Sequence, residues 1–156
     1  MTTRTQESTN NIEYLTVHDL AWINTIVTGQ VNSYNYFDLE SVMAGQYSYG
    51  DSHNVLKQAA EMLQRSLDKK PFSEGNRPSS LVALLTFLNA NGYATKANER
   101  MLATLFGAAE RGDKSALEVV KELATPAQSS LPAGLTLRKL IIHECNHHVE
   151  ALKLLA

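Results

Sequence analysis

Cysteine is almost missing from this chain: Cys145 is the only one in 156 residues. A single thiol forms no internal disulfide, so a reducing compartment is expected, and stability must come from packing. Basic charge is missing from a long early stretch. No Lys or Arg occurs between Arg4 and Lys57, and the formal net charge is −2. The electrostatic footprint of a nucleic-acid surface is therefore lacking, even though tyrosines in this stretch could in principle stack on bases. Long apolar runs are lacking as well. No segment approaches the ~20 residues that span a bilayer. Residues 1–11 are polar and carry no signal-peptide core. The expectation is a cytoplasmic protein with neither a membrane nor a nucleic-acid partner.

What is present is enough for one core: 44% of the residues are hydrophobic, sufficient at this length for a single domain. The chain divides by composition into a floppy leader at 1–12, a helical domain at 13–124, a linker at 125–135 and a last helix at 136–156. The linker reads Thr-Pro-Ala-Gln-Ser-Ser-Leu-Pro-Ala-Gly over Thr125 to Gly134, a turn-forming composition. Helical spacing and cap residues predict a helix from Thr16 or Asp19 to about Val27, stopped by Gly29. A short helix is expected from Asp38 to about Met43, and an amphipathic one from His53 to Leu67. Further helices are expected from Thr95 to about Arg111, and from Asp113 or Ser115 to Leu123. The fold class read from this pattern is all-α.

One stretch has the make-up of a site. Lys69-Lys70-Pro71-Phe72-Ser73-Glu74-Gly75-Asn76-Arg77-Pro78 runs directly into Leu81 to Leu88. Gly75 and Asn76 take left-handed backbone angles most readily. Pro78 suits a first helical turn. The segment that follows is apolar on nearly every side, which marks a buried central helix over about 78–91, closed by Asn91-Gly92. A glycine turn at a helix N-terminus offers free N–H groups and a positive dipole end to an anion. Arg77 would add a fork of donors for phosphate, and Glu74 an oxygen ligand for Mg2+ beside it.

Two other stretches stand out. Gln46-Tyr47-Ser48-Tyr49-Gly50-Asp51 alternates tyrosine with polar residues. It fits either a short β-hairpin flap near 45–52 or a surface loop whose tyrosines pack back on the core. His143-Glu144-Cys145-Asn146-His147 matches the zinc-protease pattern His-Glu-x-x-His in form. Few residues follow to supply a separate third ligand. The preferred reading of His143 and His147 is a polar stripe on an amphipathic helix that packs on the domain or on a second subunit.

Lys70 to Arg77 resembles the motif of the Fic/Doc family, His-Pro-Phe-x-(Asp/Glu)-Gly-Asn followed by Gly-Arg or Lys-Arg. The flanks are similar to the Doc (death-on-curing) branch: Tyr14 to Leu20, Leu39 to Val42 with Tyr49-Gly50, and Leu84 to Tyr93. The resemblance covers roughly residues 14–124. It implies a helical bundle around the central helix, with Tyr47 and Tyr49 on a flap that docks the target protein as an added strand. It further implies transfer of AMP or phosphate from ATP, with Mg2+, onto a protein hydroxyl. A translation factor resembling elongation factor Tu would be the target, and a small antitoxin a partner.

Two departures qualify that expectation. Lys70 stands where the family has its catalytic histidine, and Pro78 where it has its last arginine. A lysine has an ordinary pKa near ~10.4 and serves as a base at neutral pH only when strongly perturbed. Lys70 is better suited to holding phosphate than to taking a proton. The expected protein is therefore a Doc-like transferase with an altered site. The alternatives are a non-catalytic nucleotide- or partner-binding protein of that fold, and a metal-binding or oligomerising module built on His143 to Glu150.

Overall fold

The computed structural model describes residues 12–47, 54–127 and 136–156. Tyr49, the leader up to residue 11 and the linker from residue 128 lie outside the described residues. The elements run α1 (Val17–Thr28), α2 (Tyr36–Ala44), α3 (Val55–Lys69), α4 (Asn76–Ala90), β1 (Tyr93–Thr95), α5 (Glu99–Arg111), α6 (Ala116–Leu123), β2 (Ala124–Pro126), α7 (Leu137–His147) and α8 (Val149–Leu155). The fold is mostly helical with one small antiparallel sheet.

Local chemistry sets most boundaries. The Thr16 hydroxyl accepts from the Asp19 N–H at 3.1 Å, and the Asp19 carboxylate accepts from the Thr16 N–H at 2.9 Å. This reciprocal box starts α1, and Gly29 at φ 74° ends it. Asn35, Asn54, Asn98 and Ser115 cap α2, α3, α5 and α6 in the same one-sided or reciprocal manner.

The fold is arranged around α4. Every residue from Pro78 to Leu88 is buried, as expected of a helix apolar on all faces. Helices α1, α3, α7 and α8 pack around it, β1 lies beside it, and α3 also packs on α6. Leu81, Leu84, Phe87 and Leu88 are at most 2% exposed, and burying each such side chain is worth about 1.5–3 kcal/mol. The helix starts at Asn76, two residues earlier than expected.

Several expectations need correction. Residues 45–47 turn straight out of α2, as the loop alternative has it, and residues 48–52 of the flap lie outside the described residues. Gln46 is the physical reason. Its buried amide accepts from the Leu15 N–H at 2.7 Å and donates to the Leu15 carbonyl at 2.9 Å, while Gln58 donates to the Gln46 carbonyl at 2.7 Å. Tyr47 stacks on Tyr14 with ring centroids 4.4 Å apart. Among the described residues the paired strands put Tyr93 opposite Pro126, Ala94 opposite Thr125 and Thr95 opposite Ala124. Thr125 and Pro126 thus belong to the domain rather than to the linker. The last helix is also broken in two at His148, whose backbone sits at φ −119° and ψ 36°.

Candidate functional site

The loop from Lys70 to Gly75 is fastened to α1 by polar side chains. Asn24, 1% exposed, donates to the Glu74 carbonyl at 2.8 Å and to the Ser79 hydroxyl at 3.0 Å. Asn32 donates to the Asn24 side-chain oxygen at 2.8 Å and to the Thr28 hydroxyl at 2.9 Å. Gln30 completes the set, donating to the Asn32 side-chain oxygen at 2.9 Å and to the Glu74 carboxylate at 2.6 Å. Gly75 is left-handed as expected, at φ 78°, and lies so close to α1 that a Cβ there would meet Thr28 Cγ2 at 2.3 Å. Asn76 is not left-handed. It is the first residue of α4, and its side chain bridges back to Phe72, accepting from its N–H at 2.9 Å and donating to its carbonyl at 2.8 Å.

Lys70 takes the second left-handed place, at φ 45° and ψ 65°, where it ends α3. Among the described residues it is the only non-glycine residue with positive φ. Such a conformation costs roughly 1–2 kcal/mol for an L-residue, and strain of this kind tends to sit at functional positions.

These pieces border one cleft of about 340 Å³, lined by Lys70, Glu74, Gly75, Asn76 and Arg77 and closed on the far side by Phe106, Glu110, Leu155 and Ala156. The sequence-read site residues Lys70, Glu74, Gly75, Asn76 and Arg77 therefore come together. The start of α4 has no side-chain cap, so the N–H groups of Asn76 and Arg77 have no partner within the helix. Pro78 has no N–H to offer. Lys70 is exposed, and among the described residues no carboxylate pairs with it. Arg77 is placed differently from expectation. Its guanidinium makes a two-pronged pair with Glu110, at 2.9 and 2.8 Å, and does not point a free fork into the cleft.

The fit for Mg2+ and a nucleotide is partial. A cleft of this volume falls at the lower end of small-molecule sites. Magnesium is commonly held by one or two carboxylates plus the substrate's own phosphates. Glu74 supplies one carboxylate, with one oxygen already engaged by Gln30. Among the described residues no group of three or more His, Cys, Asp or Glu side chains is arranged to hold a metal ion by itself.

Among the described residues His143 and His147 likewise gain no third His, Cys, Asp or Glu in a metal-holding arrangement. His143 and His147 stack with centroids 5.3 Å apart, but Glu144 turns inward and is 3% exposed. Its carboxylate accepts from Asn89 on α4 at 2.9 Å and faces His148 Nε2 at 3.1 Å. His148 Nδ1 lies 2.6 Å from Glu99 on α5. A carboxylate at each ring nitrogen favours the imidazolium form of His148. Burial works against the charged ring, but hydrogen bonding by Glu144 and Glu99, with their charges, outweighs it and raises its titration point. Cys145 is buried, and burial with the neighbouring Glu144 charge pushes its thiol up to about 11, so it is no nucleophile at neutral pH.

One feature of the loop went unread in the sequence. Tyr34 pairs with Phe72 as an antiparallel bridge, through Asn35 N–H to the Pro71 carbonyl and Ser73 N–H to the Ser33 carbonyl, both 2.9 Å. In that pairing Tyr34's own N–H and C=O point away from Phe72. Among the described residues neither finds a main-chain partner. The segment paired with the site loop thus carries a short open strand edge at 33–35. The available signal was the cluster Tyr34, Tyr36 and Phe37, whose side chains remain exposed.

Comparison with protein-family models, with curated proteins and with solved structures finds no match for this chain.

Proposed function

We propose that the cleft at the start of α4 binds the phosphates of a nucleotide, in a Fic/Doc-like protein whose transferase chemistry is altered. The observation that carries this reading is a convergence. An uncapped helix N-terminus, the strained cation Lys70, which no carboxylate pairs among the described residues, and the carboxylate Glu74 share one cleft. Helix dipole, free N–H groups and an ammonium all favour phosphate oxygens. Lys70 holds phosphate where a histidine would take a proton. Loss of a general base costs on the order of 10²–10⁴ in rate, so ATP binding with little transfer to protein hydroxyls is expected. Mg2+ would enter with the nucleotide at Glu74. A target segment, such as part of a translation factor, or a small antitoxin peptide, would add to the open edge at Tyr34.

The test is calorimetric titration with ATP and magnesium on the protein and on Lys70→Ala, followed by transfer from labelled ATP for the protein and Lys70→His. The expected result is binding that Lys70→Ala weakens about tenfold, as befits one charge-assisted contact. Transfer should be slow and should rise with Lys70→His. Absence of binding in both proteins overturns the reading.

A further inference from the structure

We infer that α8 is a hinged wall of the cleft, held in its closed position by the His148 side chain clamped between Glu99 and Glu144. Three observations meet here. The first is the break itself: α7 and α8 join at the single residue His148, which lies between two helical segments at φ −119° and ψ 36°. The second is a double anchor. One oxygen of Glu99 lies 2.6 Å from His148 Nδ1, and the other accepts from the Ala151 N–H at 3.1 Å. One carboxylate therefore holds both the hinge residue and the first turn of α8. The third is position. Leu155 and Ala156, at the other end of α8, line the cleft that Lys70 and Arg77 border.

The groups facing the hinge come from every element around it. Helix α5 contributes Glu99, and α7 contributes Glu144. The His147 ring lies edge-on, its centroid 4.9 Å from that of His148, with His143 stacked beyond it. Helix α4 offers only the neutral amide Asn89, which donates to Glu144. Cys145 follows Glu144 directly, and Tyr93 borders the adjoining 140 Å³ cavity. One oxygen of each carboxylate thus faces the His148 ring, while the other is held by Asn89 or by the Ala151 N–H. When the imidazolium gives a proton to solvent, one ring N–H remains for two carboxylates. One carboxylate oxygen, on Glu144 or on the half-buried Glu99, then faces a bare ring nitrogen at hydrogen-bond distance, an unfavourable contact in a poorly solvated place. Turning α8 outward relieves it by admitting water, and it withdraws Leu155 and Ala156 from the cleft. The regulatory meaning of this motion rests on the proposed use of the cleft, whereas the motion itself does not.

Amide hydrogen exchange, expressed as protection relative to the unfolded chain at each pH, tests the hinge without any ligand. Raising the pH from about 7 to about 9.5 should lower protection over Val149–Leu155 at least about tenfold while α4 keeps its own, the pattern of a sub-global opening. His148→Gln should show the low value at both pH settings. Where that variant does not fold, Glu99→Gln serves, and should weaken protection of α8 alone. Protection of α8 that ignores pH, or that falls only together with α4, overturns the inference, as does wild-type behaviour in the variant. Calorimetry with ATP at both pH values reads the regulation separately. Exchange that opens without any ATP binding would leave the hinge standing and remove the proposed use of the cleft.

Discussion

Arg77 is held by Glu110, both lining the cleft, with Nε 2.9 Å from one carboxylate oxygen and Nη2 2.8 Å from the other. The side chains are 45% and 27% exposed, so the pair contributes only about 0–1 kcal/mol to stability. Its effect is on binding, because the fork that matches a phosphate is already occupied. Glu110→Gln should leave the melting temperature nearly unchanged and tighten ATP binding by about tenfold, the worth of one charge-assisted hydrogen bond. Unchanged affinity in a calorimetric titration would show that Arg77 does not face the ligand.

Lys70 is at odds with its own backbone. Glycine is the usual residue at a left-handed helix end. Lys70→Gly should stabilise the fold by about 0.5–1 kcal/mol, part of the relieved strain being offset by added freedom in the unfolded chain. The same change should weaken ATP binding. Urea denaturation and calorimetry on one variant would read opposite signs. A variant that loses stability would mean that the side chain supports the fold rather than the ligand.

Gly75 and Gly29 form an internal control. Both have positive φ, but a Cβ at Gly29 meets nothing within 4 Å, whereas at Gly75 it would strike Thr28 and come within 3.0 Å of Asn24. Gly29→Ala should cost about 1 kcal/mol for backbone strain alone. Gly75→Ala should cost about 2–4 kcal/mol, because overpacking adds to it. Equal shifts in the urea midpoint would show that the loop is not seated on α1 as described.

The charged state of His148 links stability to pH. Its titration point is raised in the folded protein, so its contribution is complete below the unfolded value near ~6.5 and is lost as pH climbs through the folded value. Thermal melts should show the protein losing stability from neutral to alkaline pH relative to His148→Gln, and the two curves should converge once the proton has gone. Parallel curves across that range would mean that the ring is neutral at the start.

How much of this was legible beforehand depended on whether the cause was local. The start of α1 at Thr16 (one of two caps offered), the Gly29 stop and the burial of α4 follow from neighbouring residues, and they were read correctly. The gathering of Lys70, Glu74, Gly75, Asn76 and Arg77 was also readable, because one loop carries them all. What stayed hidden depends on partners far along the chain. Asn24 looks like a polar interruption in an apolar stripe until Glu74, 50 residues away, shows what it holds. Gln46 resembled part of an exposed strand because its partner Leu15 lies 31 residues before it. Nothing local marks His148 as a break, since Glu99 lies 49 residues earlier. Arg77 was legible as a fork of donors but not as one already occupied.

The uniform burial of α4 has a bearing on how the chain is made. Its cover comes partly from α7, and Asn89 waits 55 residues for Glu144. At synthesis rates of ~5–20 residues per second this is a delay of roughly three to eleven seconds. During that time a helix that is to be buried from Pro78 to Leu88 has left the ribosome while part of its shelter is still unwritten. Newly made chain should be a ready client for a holding chaperone, released when α7 emerges and docks.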